Sequence, residues 1–149
     1  MGDFDEYDDG SEEKIERLIE NYIDRYYMDS EVPIERIRHN IWTIQEEHYT
    51  FNIIVTSILV IFDAILFEDL PDEKLAFFEE LLTLNAHRAK SSKICLVKER
   101  VHLRIIRGLE DFDYSEFVSH IDEYREIFTV ILDKLYYEFY HTDNEPEAS

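Results

Sequence analysis

Between Leu70 and Arg107 the apolar spacing changes once, from the three-to-four-residue step of a helix to the two-residue step of a strand. That change restricts the chain to folds in which helices cover a sheet. In the first half, Leu75, Phe78 and Leu82 follow an i, i+3, i+7 spacing, and Phe77, Leu81 and Leu84 form a second stripe beside them. The resulting apolar arc is wider than one core contact requires. Pro71 and Asp72 are expected to open this helix, with Asp72 and Glu73 placing negative charge on the positive end of its dipole. Asn85 is expected to close it as a left-handed C-cap. After a polar connection come Ile94–Val97, a turn near Lys98, Glu99 and Arg100, and then Val101, Leu103 and Ile105 alternating with His102 and Arg104. This reads as a hairpin with one buried face.

Upstream, Ile15, Leu18, Ile19, Tyr22, Ile23 and Tyr26 repeat at helical spacing behind Ser11, a suitable N-cap. The segment from Asp29 to Asn40, which contains Pro33, reads as a connection with one turn of helix. Three strands are expected next, at about Ile41–Glu46, Thr50–Val55 and Ile58–Phe67, rich in β-branched and aromatic residues. In the third, Ile58, Val60, Phe62, Ala64 and Leu66 face one way, and Leu59, Ile61, Asp63, Ile65 and Phe67 the other. Both faces are therefore largely apolar: one can take the helices, and the other needs a partner, a second subunit or another segment of the chain.

Downstream, residues 108–113 turn the chain, and Asp113 with Glu116 makes a capping-box-like start to a last helix. Phe117, Ile121, Tyr124, Phe128, Ile131 and Leu135 then step alternately by four and three. Such a seam suits a helix lying on the sheet or one packing on its counterpart in a dimer. Packing within the subunit is favoured, because three heptads are too few to demand a coiled coil. The fold expected is α+β, an antiparallel five-stranded sheet flanked by helices in the order α-β-β-β-α-β-β-α. It occupies one domain over residues 11–140, between a disordered tail at 1–10 holding five carboxylates and no base and a second tail at 141–149.

With 45% hydrophobic and 14% aromatic residues, the 149-residue chain can bury a single sizeable core. Its formal charge of −20 repels phosphate backbones and anionic membrane surfaces, so neither nucleic acid nor membrane is expected as a partner. The longest apolar run, Phe51 to Phe67, is too short for a membrane helix and is broken by Asn52, Thr56, Ser57 and Asp63. The first ten residues are acidic where a signal peptide is basic and then apolar. One cysteine, Cys95, supports neither a disulfide framework nor a thiolate metal cluster and fits a reducing compartment. A cytoplasmic protein is the expectation.

The residues alone carry no recognisable catalytic chemistry. The six histidines form no HExxH pattern, and Glu116 with His120 supplies two metal ligands where a site needs more. Asp63 interrupts an apolar strand, and a buried carboxylate suits acid–base work, but no second group is positioned beside it by sequence. An edge position or an ion pair is the favoured reading of Asp63. There is no glycine-rich phosphate loop and no nucleophile elbow. No catalytic residue, cofactor or metal site is expected. Charge is more informative: seven bases against one acid lie between Arg88 and Arg107 in an otherwise acidic chain. The plainer reading is that they discourage sheet-edge pairing and balance nearby acids. The functional one is a docking face for an acidic partner or for a second copy, carried by Lys93, Lys98, Arg100 and Arg104.

The apolar helix ending Leu81, Leu82, Thr83, Leu84, Asn85, preceded by Leu70-Pro71 and followed by a polar linker and hairpin, resembles the YbjN-like domain and the wider type III secretion (Tir) chaperone-like family. Trp42, early in the first strand, fits the same pattern, and the resemblance covers roughly residues 11–140. The chain departs from it in the hairpin turn, which lacks the Gly or Asn that two-residue turns favour. The resemblance implies a small acidic protein, often dimeric, that binds an extended segment of another protein along apolar grooves without turnover. On that basis Leu59, Ile61 and Ile65 are expected to line the partner surface, and Leu75, Phe78 and Leu82 a homodimer interface. The alternatives are a YbjN-like regulator of stress or sensory pathways and, less favoured, an enzyme built on Asp63 or on Glu116 and His120.

Overall fold

The helical stripe at the N-terminal end folds in α1 (Gly2–Tyr26) with Ile19 and Ile23 buried and Ile15, Tyr22 and Tyr26 half-buried, but Leu18 is 42% exposed. The computed structural model describes residues 2–140, of which 2–11 by backbone alone. The helix thus begins well before the Ser11 cap, and the expected tail at 141–149 lies outside the described residues. Asp29, in left-handed backbone at φ 68°, turns the chain after α1.

Six strands follow, not five: β1 (Ile34–Arg38), β2 (Ile41–Gln45), β3 (Thr50–Val55), β4 (Leu59–Phe67), β5 (Lys93–Val97) and β6 (Arg100–Gly108). They form one sheet in the order β1-β2-β3-β4-β6-β5, with β1–β2, β2–β3 and β5–β6 antiparallel. The added strand is β1, in the segment read as a connection with a helical turn. Pro33 has no N–H to donate and a fixed φ, which suits the start of an edge strand, and its carbonyl accepts from Gln45 N–H at 3.0 Å. A register shift between Arg36 and Arg38 and the exposure of all five residues remove the buried-and-open alternation that would have marked the strand. β1 is held by its antiparallel pairing with β2, and Arg36 adds contacts to α1. Arg36 reaches Glu16 at 3.0 Å and Glu20 at 2.7 Å on α1, and its guanidinium lies 4.9 Å from the Trp42 ring.

Two compact units organise the chain: residues up to Asp63 with Ile106–Ser119, and Ala64–Ile105 with the residues from His120 onward. In the first, Trp42 pairs with Ile53 and Ile44 with Phe51 across β2 and β3, all four side chains buried. Phe62 joins this core and meets Phe117, whose ring also packs against Tyr22. In the second, α2 (Lys74–His87) buries Phe77 and Leu81, and Phe77 sits edge-on to Phe67 at 5.1 Å. The last helix continues as α3 (Tyr114–Glu126), a π-helical stretch (Ile127–Leu132) and α4 (Asp133–Tyr140) without a break, since Glu126 and Asp133 keep α-helical backbone. All six seam residues are buried, so the four-and-three spacing is spent within the subunit. No helix among the described residues is long and apolar enough to cross a membrane.

Three local expectations are corrected. Pro71 is buried in the loop ahead of α2, so the helix starts later, behind Glu73, which makes no side-chain cap. Asn85 does not end α2, which runs on to His87 and closes at Arg88 with right-handed backbone; its side chain bonds β5 instead. Asp63 is not at an edge, because β4 lies between β3 and β6. The capping box forms in half: Asp113 Oδ1 accepts from Glu116 N–H at 2.8 Å, but the Glu116 carboxylate goes to Arg107.

The hairpin closes through a two-residue turn with Val97 opposite Arg100, and Lys98 and Glu99 take φ of 50° and 66°. Both positions of such a turn demand left-handed backbone, which Asn and Gly accept most readily. The Lys98→Asn, Glu99→Gly double variant is therefore expected to raise stability by about 1–2 kcal/mol. Denaturant unfolding checks this, and an unchanged or lower midpoint at constant slope refutes it.

Candidate partner-binding surfaces

The sheet alternation divides unit 1 into a covered and an uncovered face. Val60 and Phe62 point into the core, whereas Leu59 and Ile61 stay half-buried on the opposite side of β4. On that side Ile41 stands opposite Ile54, both half-buried, and Thr43 donates its hydroxyl to Asn52 Oδ1 at 2.8 Å. Ile106, on β6, is 60% exposed. The strip is apolar but for the Thr43–Asn52 pair and the half-buried carboxylate of Asp63, which stands between Ile61 and Ile65 on the same side of β4. Ile65 continues the half-buried side of β4 within the second unit, as the expected alternation requires.

In unit 2 a groove of about 280 Å³ runs between α2 and β5, lined by Phe78, Leu82, Asn85, Ile94, Leu96 and Val101. Its outer lip carries the helix stripe expected at a dimer interface: Leu75 is 76% exposed, Leu82 67%, and Phe78 half-buried. The basic residues border the same hairpin. Lys93 lies opposite Arg104, Arg100 follows the turn, and Lys98 occupies it. Placing Lys93 and Arg104 in register sets like charges side by side, which is unfavourable unless an acid answers them. Elsewhere the answer is partial and exposed: Arg100 is 4.0 Å from Glu68 and Arg88 3.8 Å from Glu126, contacts worth little in water.

Sequence reasoning missed Glu123. Its carboxylate is nearly inaccessible, and Oε2 accepts from the backbone N–H of Lys90 and of Ser92, both at 2.9 Å, and from the Ser92 hydroxyl at 2.5 Å. Oε1 accepts from Ser91 N–H at 3.1 Å. Three successive amides converging on one anion make a backbone nest. Burial pushes this carboxyl up, but the Ser92 hydroxyl and the three amides more than offset that and hold it below the ordinary carboxylate range. The contact spans more than thirty residues of sequence, so only the Ser91-Ser92 pair in a linker hinted at it.

Of the groups considered for catalysis, Asp63 lies on the half-buried side of β4, between Ile61 and Ile65, while Glu116 and His120 belong to α3. Glu116 commits both oxygens to Arg107, at 2.8 and 2.6 Å, and this pairing raises the guanidinium's already high pKa. His120 is a buried residue of the second unit. No three His, Cys, Asp or Glu side chains among the described residues are grouped to hold a metal ion. An aromatic cleft of about 470 Å³ beside the Glu68–Asp72 loop is lined by Phe67, Tyr140 and Tyr136, whose rings stack nearly parallel. Tyr140 donates its hydroxyl to the Asp69 carbonyl there, and burial, then the Asp69 and Tyr136 charges, push its phenol up to about 12.

No family model matches the chain, and no curated protein matches it. Among solved structures it is similar to a chain of the heterodimeric ExoU–SpcU complex from the type III secretion system of Pseudomonas aeruginosa, with a TM-score of 0.61 at 15% identity. The match covers 79% of this chain and 97% of that one, so the two chains share a fold.

Proposed function

We propose that the chain is a non-enzymatic, chaperone-like binding module that holds an extended segment of a partner protein against the uncovered side of its sheet. The carrying observation is the apolar strip of Ile41, Ile54, Leu59 and Ile61, which helices leave half open. Side chains of an extended segment fit such a strip at alternate positions. The likeness to a chain from a secretion complex supports the same reading. Lys93, Lys98, Arg100 and Arg104 then steer an acidic partner or a second copy, and Leu75, Phe78 and Leu82 join two copies. A cytoplasmic site of action fits the lone, half-buried Cys95. A YbjN-like regulator would share this fold, and an effector gene beside this one in its genome favours the chaperone.

Ile61→Lys tests the reading. Because Ile61 is half-buried, the lysine ammonium can reach water, and the Tm is expected to fall by less than about 5 °C. Affinity capture with wild type and variant, at matched folded protein, is expected to lose the partner by about tenfold or more. A variant that unfolds while its folded fraction still retains the partner places Ile61 in the ordinary core and ends the proposal.

A further inference from the structure

An edge strand ordinarily presents a row of open N–H and C=O groups to any extended chain. Along β5, the last strand of the sheet order, and at the residue just before it, three outward backbone groups are already taken. Ile94 N–H donates to Asn85 Oδ1 at 2.7 Å, and Asn85 Nδ2 donates to Ile94 C=O at 3.0 Å. One primary amide thereby supplies the acceptor and the donor that a residue of an added strand would supply. Two residues earlier, at the same parity, Ser92 N–H is taken by Glu123. Lys93, Cys95 and Val97, at the opposite parity, face Arg104, His102 and Arg100 of β6. The next outward position is Leu96. Taking the Ser92 and Ile94 groups breaks the run of consecutive open pairs that an added strand needs.

We propose that Asn85 is a specificity-determining residue that closes β5 to strand addition, so that this edge refuses extended backbone, including the β5 of a second copy, and the adjoining groove accepts side chains only. The choice of asparagine follows from the task. Leucine would fill the same space in the groove but leave both Ile94 groups open, and aspartate would answer the N–H but not the carbonyl. The proposal goes beyond the partner-binding reading and stands if that reading fails, because its test uses a segment of this chain as the probe.

The experiment compares the full-length protein with its Asn85→Leu and Asn85→Asp variants. The probe is a fluorescent peptide of residues 91–99 carrying Cys95→Ser, followed by anisotropy, with amide exchange at Ile94 measured alongside. Asn85→Leu is expected to speed Ile94 exchange about tenfold or more and to bind the peptide about tenfold more tightly than wild type does. Bound peptide should slow that exchange again, and Asn85→Asp should fall between the two. Equal peptide binding by wild type and Asn85→Leu, binding by neither, or unchanged Ile94 exchange overturns the proposal. If Asn85→Leu does not fold, Asn85→Asp is held to the same criteria.

Discussion

Glu123→Ala is expected to lower the unfolding free energy by about 3 kcal/mol near neutral pH, because four donors lose their acceptor at once and three of them are backbone amides. A short side chain cannot reach them, and Ser92 is buried, so water replaces the carboxylate poorly. Glu123→Gln separates shape from charge. Its amide keeps one oxygen for the Lys90 and Ser92 donors but turns an NH2 toward the Ser91 N–H, so a loss of about 1–2 kcal/mol is expected. Acid should abolish part of the difference. The carboxyl is held below its unfolded value of 4.5, so the stabilisation is complete above about pH 4.5 and drains away as pH falls through the lower, folded value. Wild type should therefore approach Glu123→Gln as pH drops below 4.5, while Glu123→Gln itself loses that component of acid sensitivity. Urea unfolding at pH 7 and at several points below 5 reads both effects. An Ala variant within 0.5 kcal/mol of wild type, or a wild-type-to-Gln gap that does not narrow in acid, removes Glu123 as the anchor of the 90–92 linker.

That anchor illustrates which parts of the molecule can be read from residues in order and which cannot. Strand β4 is legible because every second residue from Val60 to Leu66 is apolar and buried, a period no helix produces. The β3 limits, Thr50–Val55, follow from composition alone. Strand β1 is not legible, since its contacts to α1 come from Arg36 reaching back to Glu16 and Glu20 and its bulge breaks the alternation. Asn85 satisfies every local rule for a C-cap and is drawn instead to Ile94, a partner nine residues on that exists only once the hairpin has docked. Local propensity is a weak prior, and a tertiary hydrogen bond readily overrides it. For the candidate surfaces, the half-buried side of β4 was visible in the pattern. The groove was visible only as a surplus of apolar residues on α2, because its other wall comes from β5.

Phe78→Asp is expected to convert a homodimer to a monomer, weakening self-association by about 100-fold or more. The expectation rests on where α2 leaves its apolar residues. Phe77 and Leu81 fill the core, so the other stripe, of Leu75, Phe78 and Leu82, is surplus to the fold of one chain, and its ends stand 76% and 67% exposed. An uncovered stripe of this kind, beside a groove of complementary chemistry, commonly marks an interface. Two copies related by a twofold axis would each offer the stripe and the groove, which suits a self-complementary contact. Phe78 is itself half-buried, so its aspartate variant also strains the monomer. Leu82→Asp provides the control, because a residue already 67% exposed can change with little cost to folding. Both variants should sediment as monomers, with Leu82→Asp unfolding at nearly the wild-type temperature. Salt distinguishes how the copies meet. Glu79 lies on α2 with the stripe, and Lys93, Lys98 and Arg100 lie on the β5–β6 hairpin that supplies the groove's other wall. If they answer one another between copies, raising ionic strength should slow association more than it speeds dissociation, since exposed charges are screened beyond roughly 8 Å at physiological salt. Sedimentation of a folded wild-type monomer at high micromolar concentration would exclude the dimer outright. A dimer that persists in both aspartate variants would move the interface away from α2.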